Sequence, residues 1–104
     1  MINLLDDFAP RADGEIFTEV LARDGVRIER IVSTGQVTPA DKPFRQDHDE
    51  WVLLLAGSAG LRIEGEGERE LRPGDHVLIA ANRAHWVTRT AKDEATIWLA
   101  VHFG

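Results

Sequence analysis

Short runs rich in Val, Ile, Leu, Phe and Trp are cut at regular intervals by glycine, proline or Asp/Asn pairs, and helical periodicity is not convincing anywhere. "EIFTEVLA" (15–22) runs into Asp24-Gly25, "VRIERIVS" (26–33) into Thr34-Gly35, and "EWVLLLAG" ends on Gly57. The rhythm continues with "LRIE" before Gly65, "RELR" before Pro73-Gly74, "HVLIA" before Asn82, "HWVTRT" before Lys92-Asp93, and "TIWLAVHF" near the end. Turn signals about every 8 to 12 residues predict an all-β protein, an antiparallel sandwich or barrel of short strands. The acidic stretch "EGEGERE" (64–70) reads as a solvated hairpin turn rather than an anionic docking surface.

Two of the runs, "WVLLLA" and "IWLAV", are apolar on both faces. In a strand Glu50, Val52 and Leu54 share one face, while Trp51, Leu53 and Leu55 share the other. If the first face fills a barrel, the second needs a cover. The N-terminal Ile2, Leu4, Leu5 and Phe8 or a second subunit would supply one, and a homodimer is therefore expected. With 104 residues the chain is read as one domain, 1–104, large enough for one core and one site.

Composition narrows the partners. The longest apolar run, Trp51 to Ala56, is far too short to cross a bilayer, and Asp6 and Asp7 interrupt any signal-like stretch, so a cytoplasmic protein without membrane contact is expected. The absence of cysteine removes disulfides, thiolate metal sites and a cysteine nucleophile. A formal charge of −6, with the arginines interleaved among acids, argues against nucleic acid and leaves a small-molecule ligand as the expected partner.

The chemistry concentrates in "FRQDHDE" (44–50), which leads straight into the apolar "WVLLLA". A carboxylate at the lip of a buried strand costs several kcal/mol unless something pairs with it. If the strand extends backwards, Gln46, His48 and Glu50 share one face with neighbours about 7 Å apart. His85 on another strand would complete a cluster. His76 reads as a partly buried structural histidine, and His102 as a satisfied core histidine or an extra ligand. Trp51 and Trp86 should pack away from their polar neighbours, leaving Trp98 as the aromatic candidate for a pocket.

In order, Glu50, Gly57, "RPGD" (72–75) and His85 in "AANRAHWV" resemble the two signature motifs of the cupin superfamily of small jelly-roll barrels. The motifs would lie at about 44–57 and 74–89. The resemblance places Glu50 on the family's carboxylate ligand and His85 on its second-motif histidine. The two first-motif histidines fall on Phe44 and Gln46, and Arg89 stands where asparagine is usual. With His48 as a replacement, Gln46, His48, Glu50 and His85 resemble the zinc ligands of the phosphomannose isomerases, and His48, Glu50 and His85 the iron triad of oxoglutarate oxygenases. The implied cofactor is a divalent zinc, iron, nickel or manganese ion. Glu50 or His48 would act as catalytic base in an isomerase- or oxygenase-type enzyme on a small metabolite. The alternative is a non-catalytic binding or sensory cupin with a degenerate metal site, in which Glu50 pairs with Arg45 or Arg89. An epimerase of the tyrosine-acid type is disfavoured because the chain has no Tyr.

Overall fold

A computed structural model describes residues 3–6 and 14–104. Its described residues form eight strands and no helix: β1 (Ile16–Arg23), β2 (Val26–Ser33), β3 (Asp49–Ala56), β4 (Ala59–Ile63), β5 (Glu68–Leu71), β6 (His76–Ile79), β7 (His85–Thr90) and β8 (Thr96–Phe103). Each β-rich run of the sequence becomes one strand, because the glycines, Pro73 and Asn82 that separate the runs sit in the turns. Two antiparallel sheets result, one in the order β1-β2-β8-β3-β6 and one in the order β5-β4-β7. No described helix is long and apolar enough to cross a membrane.

The strand alternation decides what lies between the sheets. Glu50, Val52 and Leu54 of β3 are buried, while Trp51, Leu53 and Leu55 on the opposite face are half-buried. Val52 and Leu54 join Ala59, Leu61, Ile63, Leu71, Ile79 and Trp98 in one hydrophobic core. On the outer face, Arg30 of β2 is buried and donates to the carbonyls of Leu4 (3.3 Å) and Asp6 (2.7 Å), so this part of the N-terminal segment lies over β2. Ile2 and Phe8, also expected in that cover, lie outside the described residues.

Two glycines fix how the strands connect. Gly57, between β3 and β4, has φ +83°, and a Cβ there would lie 2.5 Å from Thr96 Oγ1 and 2.6 Å from Thr96 Cα. Both the backbone and the space demand glycine. Gly74, between β5 and β6, has φ +96° but open space around it. Its N–H donates to the Leu54 carbonyl at 2.8 Å, and the Leu54 N–H donates to the Asp75 carbonyl at 2.9 Å, which hangs the "RPGD" corner on β3.

The two positions should therefore respond differently to the same change. Gly74→Ala carries only left-handed strain of about 1–3 kcal/mol. Gly57→Ala adds a clash with backbone that overpacking costs place at about 1–3 kcal/mol more. Urea unfolding should rank Gly57→Ala well below Gly74→Ala; equal midpoints would show that the approach of β8 to Gly57 has been misread.

Candidate functional site

The mouth of the barrel is built by residues 44–48 crossing the turn between β6 and β7. Phe44 and His85 exchange backbone hydrogen bonds, each at 2.9 Å. The Asn82 N–H donates to the Gln46 carbonyl at 2.6 Å, Arg45 donates to the Asn82 carbonyl at 2.7 Å, and Asp49 accepts from the Ala81 N–H at 2.9 Å. Asn82 stands at φ 64°, the left-handed conformation that asparagine tolerates better than most side chains. These bonds fix Phe44 and Gln46 beside His85 at the rim of a cavity of about 70 Å³.

Glu50 and His85 line that cavity together with Gln46 and Trp98. Both are nearly closed off from solvent, at 6% and 5% exposure. The Phe44 ring stacks on the imidazole at 5.6 Å between centroids. His85 Nδ1 lies 3.2 Å from the Arg83 carbonyl, which can only accept, so Nδ1 carries the proton. In the neutral ring Nε2 is then a bare lone pair. It faces Glu50 Oε1 at 3.6 Å, beyond hydrogen-bond length, and Oε1 has no hydrogen-bond partner. Two acceptors thus confront each other in a buried site, and a shared proton, a water, a donor atom from a ligand, or a cation would reconcile them.

Neither Arg45 nor Arg89, the two arginines expected to pair with Glu50 in a degenerate site, does so. Arg45 pairs with Glu64 at 3.5 Å, and Arg89 with Glu70 at 2.5 Å. The latter exposed pair holds the Glu70 carboxyl below its ordinary range and raises Arg89, in both cases chiefly through their mutual hydrogen bond.

His48 takes a different course. The alternation that would carry it to the face of Glu50 breaks at a bend over Asp47 and His48, just before β3 begins. Its ring meets His102 instead, Nε2 to Nδ1 at 2.9 Å, and both line a second, open depression rather than the cavity of Glu50. His102 is buried, and its Nε2 lies 2.9 Å from Glu29 Oε1. Because that carboxylate oxygen accepts, His102 Nδ1 is left to accept from His48 Nε2. Gln46, Glu50 and His85 therefore share one cavity, and His48 stands at the outer end of a side-chain chain leading to its wall at Glu29. His76 is exposed rather than partly buried and accepts from Trp51 Nε1 at 3.1 Å on the outer face. Trp86 packs away from the cavity, under the Arg62 guanidinium.

The profile of the Cupin domain family matches residues 29–102. The chain belongs to the cupin family. This cupin is similar to a proposed mannose-6-phosphate isomerase from Ralstonia eutropha JMP134, with 42% identity and a TM-score of 0.95 over 99% of this chain and 96% of that one. A cupin superfamily protein from Desulfitobacterium hafniense DCB-2 shares the fold at 18% identity, with a TM-score of 0.76 over 92% of this chain and 83% of that one. So does an RmlC-like cupin with a double-stranded β-helix fold from Methanocaldococcus jannaschii, at 16% identity and a TM-score of 0.71 over 99% and 92% of the two chains. No curated protein matches the chain.

Cupins often bind metals, and the cavity of this cupin is lined by side chains of differing ability to ligate one. Glu50 and His85 are sound donors, the Gln46 amide oxygen is a weaker one, and Phe44 cannot ligate. Among the described residues no three His, Cys, Asp or Glu side chains form a group that could hold a metal ion.

Glu29 and Glu15 also line the cavity and were not singled out in the sequence. A signal for Glu29 was present: in "VRIERIVS" it has the parity of Ile31 and Ser33, the face that turns inward, as Glu50 does in its own run.

The confrontation of Glu50 with His85 predicts a stability gain on removing it. Glu50→Gln places an amide N–H opposite Nε2, and in ligand-free, chelator-treated protein it should stabilise by about 1–3 kcal/mol, the cost of one unsatisfied buried polar group. Chemical denaturation of the two proteins measures this directly, and a marked loss of stability would mean that the carboxylate is already satisfied.

Proposed function

We propose that this cupin binds a small organic molecule in the barrel mouth and that Glu50 and His85 hold its polar end. The observation that carries the reading is the orphaned Glu50 Oε1, buried and turned toward a second acceptor. Natural proteins keep such groups where a ligand completes them. The apolar walls, including Val52, Leu61 and Trp98, would take the rest of the molecule. His85 is held by the Arg83 carbonyl and the Phe44 ring, so its Nε2 is aimed before a ligand arrives. In an enzymatic form of this reading the same pair exchanges a proton with a bound hydroxyl, as acid–base catalysis of an isomerisation requires. The proposed isomerase from Ralstonia eutropha, at 42% identity, supports considering that form.

A divalent metal is the second reading, and one observation favours it. Donors that share an ion at about 2.0–2.2 Å each stand between three and four ångströms apart at common ligand angles, and Glu50 Oε1 and His85 Nε2 are 3.6 Å apart. The protein would then supply Glu50, His85 and at most the Gln46 amide, leaving positions for solvent or ligand.

Native mass spectrometry and elemental analysis of untagged protein separate the two. The ligand reading expects a small organic adduct that is lost in both Glu50→Gln and His85→Ala, without stoichiometric zinc, iron, nickel or manganese. Stoichiometric metal lost in the same variants would establish the second reading instead, and adducts indifferent to both substitutions would overturn the site.

A further inference from the structure

The charges around the cavity select the class of molecule that enters it, an inference that rests on the binding reading above. Three carboxylates line it: Glu15, Glu29 and Glu50. No Lys or Arg side chain does so among the described residues. Glu29 is committed to His102 and, through its other oxygen, to Arg27 at 2.9 Å, and Glu15 accepts from the Ser33 hydroxyl. Glu50 alone has a buried oxygen without a partner, and the neighbouring His85 Nε2 offers a second lone pair to the same space. Apart from the Gln46 amide, which can donate as well as accept, the unsatisfied groups that line the site accept, and no Lys or Arg side chain stands among the described lining residues. An anionic head would meet like charge and find no cation to compensate it.

Size adds a second limit. The cavity measures only about 70 Å³, a few times the least space that holds one water, so it receives the head of a molecule rather than the whole. A hexose phosphate does not fit within it, although one edge of a sugar does.

We infer that the cavity takes a small uncharged or positively charged head carrying two adjacent donors, a 1,2-diol or a 1,2-amino alcohol. One donor satisfies Glu50 Oε1 and the other His85 Nε2. Phosphorylated and carboxylated molecules are rejected by the cavity itself. The isomerase named for the Ralstonia eutropha relative acts on a phosphorylated sugar, and such a substrate would enter here only with its phosphate outside.

Three probes of one carbon skeleton isolate charge: 1,2-propanediol, 1-amino-2-propanol and lactate. Calorimetric titration of the full chain in EDTA at neutral pH should give saturable binding of the diol and tighter binding of the amino alcohol, with none of lactate. In Glu50→Gln the amino alcohol should weaken roughly tenfold or more, the effect of removing a charge-assisted hydrogen bond, while the diol loses less. Lactate binding as tightly as the diol, and weakened by Glu50→Gln, would overturn the ligand class yet leave the site standing. Binding of any probe that ignores both Glu50→Gln and His85→Gln would overturn the site reading as well. No binding of the diol or the amino alcohol to the unmodified protein would overturn the inference.

Discussion

A carboxylate set on the inner face of a core strand is the constraint around which this barrel mouth is organised. Glu50 has Ile79 on one side and His102 on the other, and Val52 and Leu54 follow it into the core. It is 6% exposed, and among the described residues no Lys or Arg side chain lines its cavity. The group that faces its Oε1, His85 Nε2, is itself an acceptor in the neutral ring, which leaves a local deficit of donors at that atom. Such a deficit is unfavourable for folding alone, and a bound molecule, ion or water would relieve it.

The rest of the mouth serves to hold that arrangement still. The crossing of residues 44–48 over the β6–β7 turn is tied by backbone hydrogen bonds at Phe44 and Gln46 and by the Asp49 carboxylate, which accepts from the Ala81 N–H, so the backbone on either side of His85 is held. Where a histidine ligand would stand in the family pattern, Phe44 stacks on His85 and closes one wall with an apolar ring. The line of His48, His102 and Glu29 performs a similar task on the far wall, tying a lining carboxylate to the surface.

Much of this was legible in the sequence because local rules act locally. Eight runs gave eight strands, since period-two alternation and turn residues operate within a few positions. Glu50, Gly57 and His85 in their order were enough to indicate the cupin fold, and the inward parity of Glu50, Val52 and Leu54 followed from the strand itself. The placement of His48 was not legible. Its side-chain direction depends on whether the strand begins before or after the bend at Asp47, which is set by bonds to Ala81 and Asn82 more than thirty residues away. The pairing of Glu50 with His102, and of His102 with Glu29, likewise depends on register between strands distant in sequence.

The central claim is that His85 presents a bare Nε2 to a carboxylate oxygen that nothing among the described residues satisfies. Nitrogen-15 NMR of the imidazole in ligand-free, metal-free protein tests it most directly, because the two ring nitrogens report separately whether each carries a proton. The account predicts a proton on Nδ1, hydrogen-bonded to the Arg83 carbonyl, and an Nε2 resonance that responds to Glu50→Gln. A neutral ring with its proton on Nε2 and a bare Nδ1 would contradict it, since His85 would then already donate to Glu50 and no unfilled place would remain.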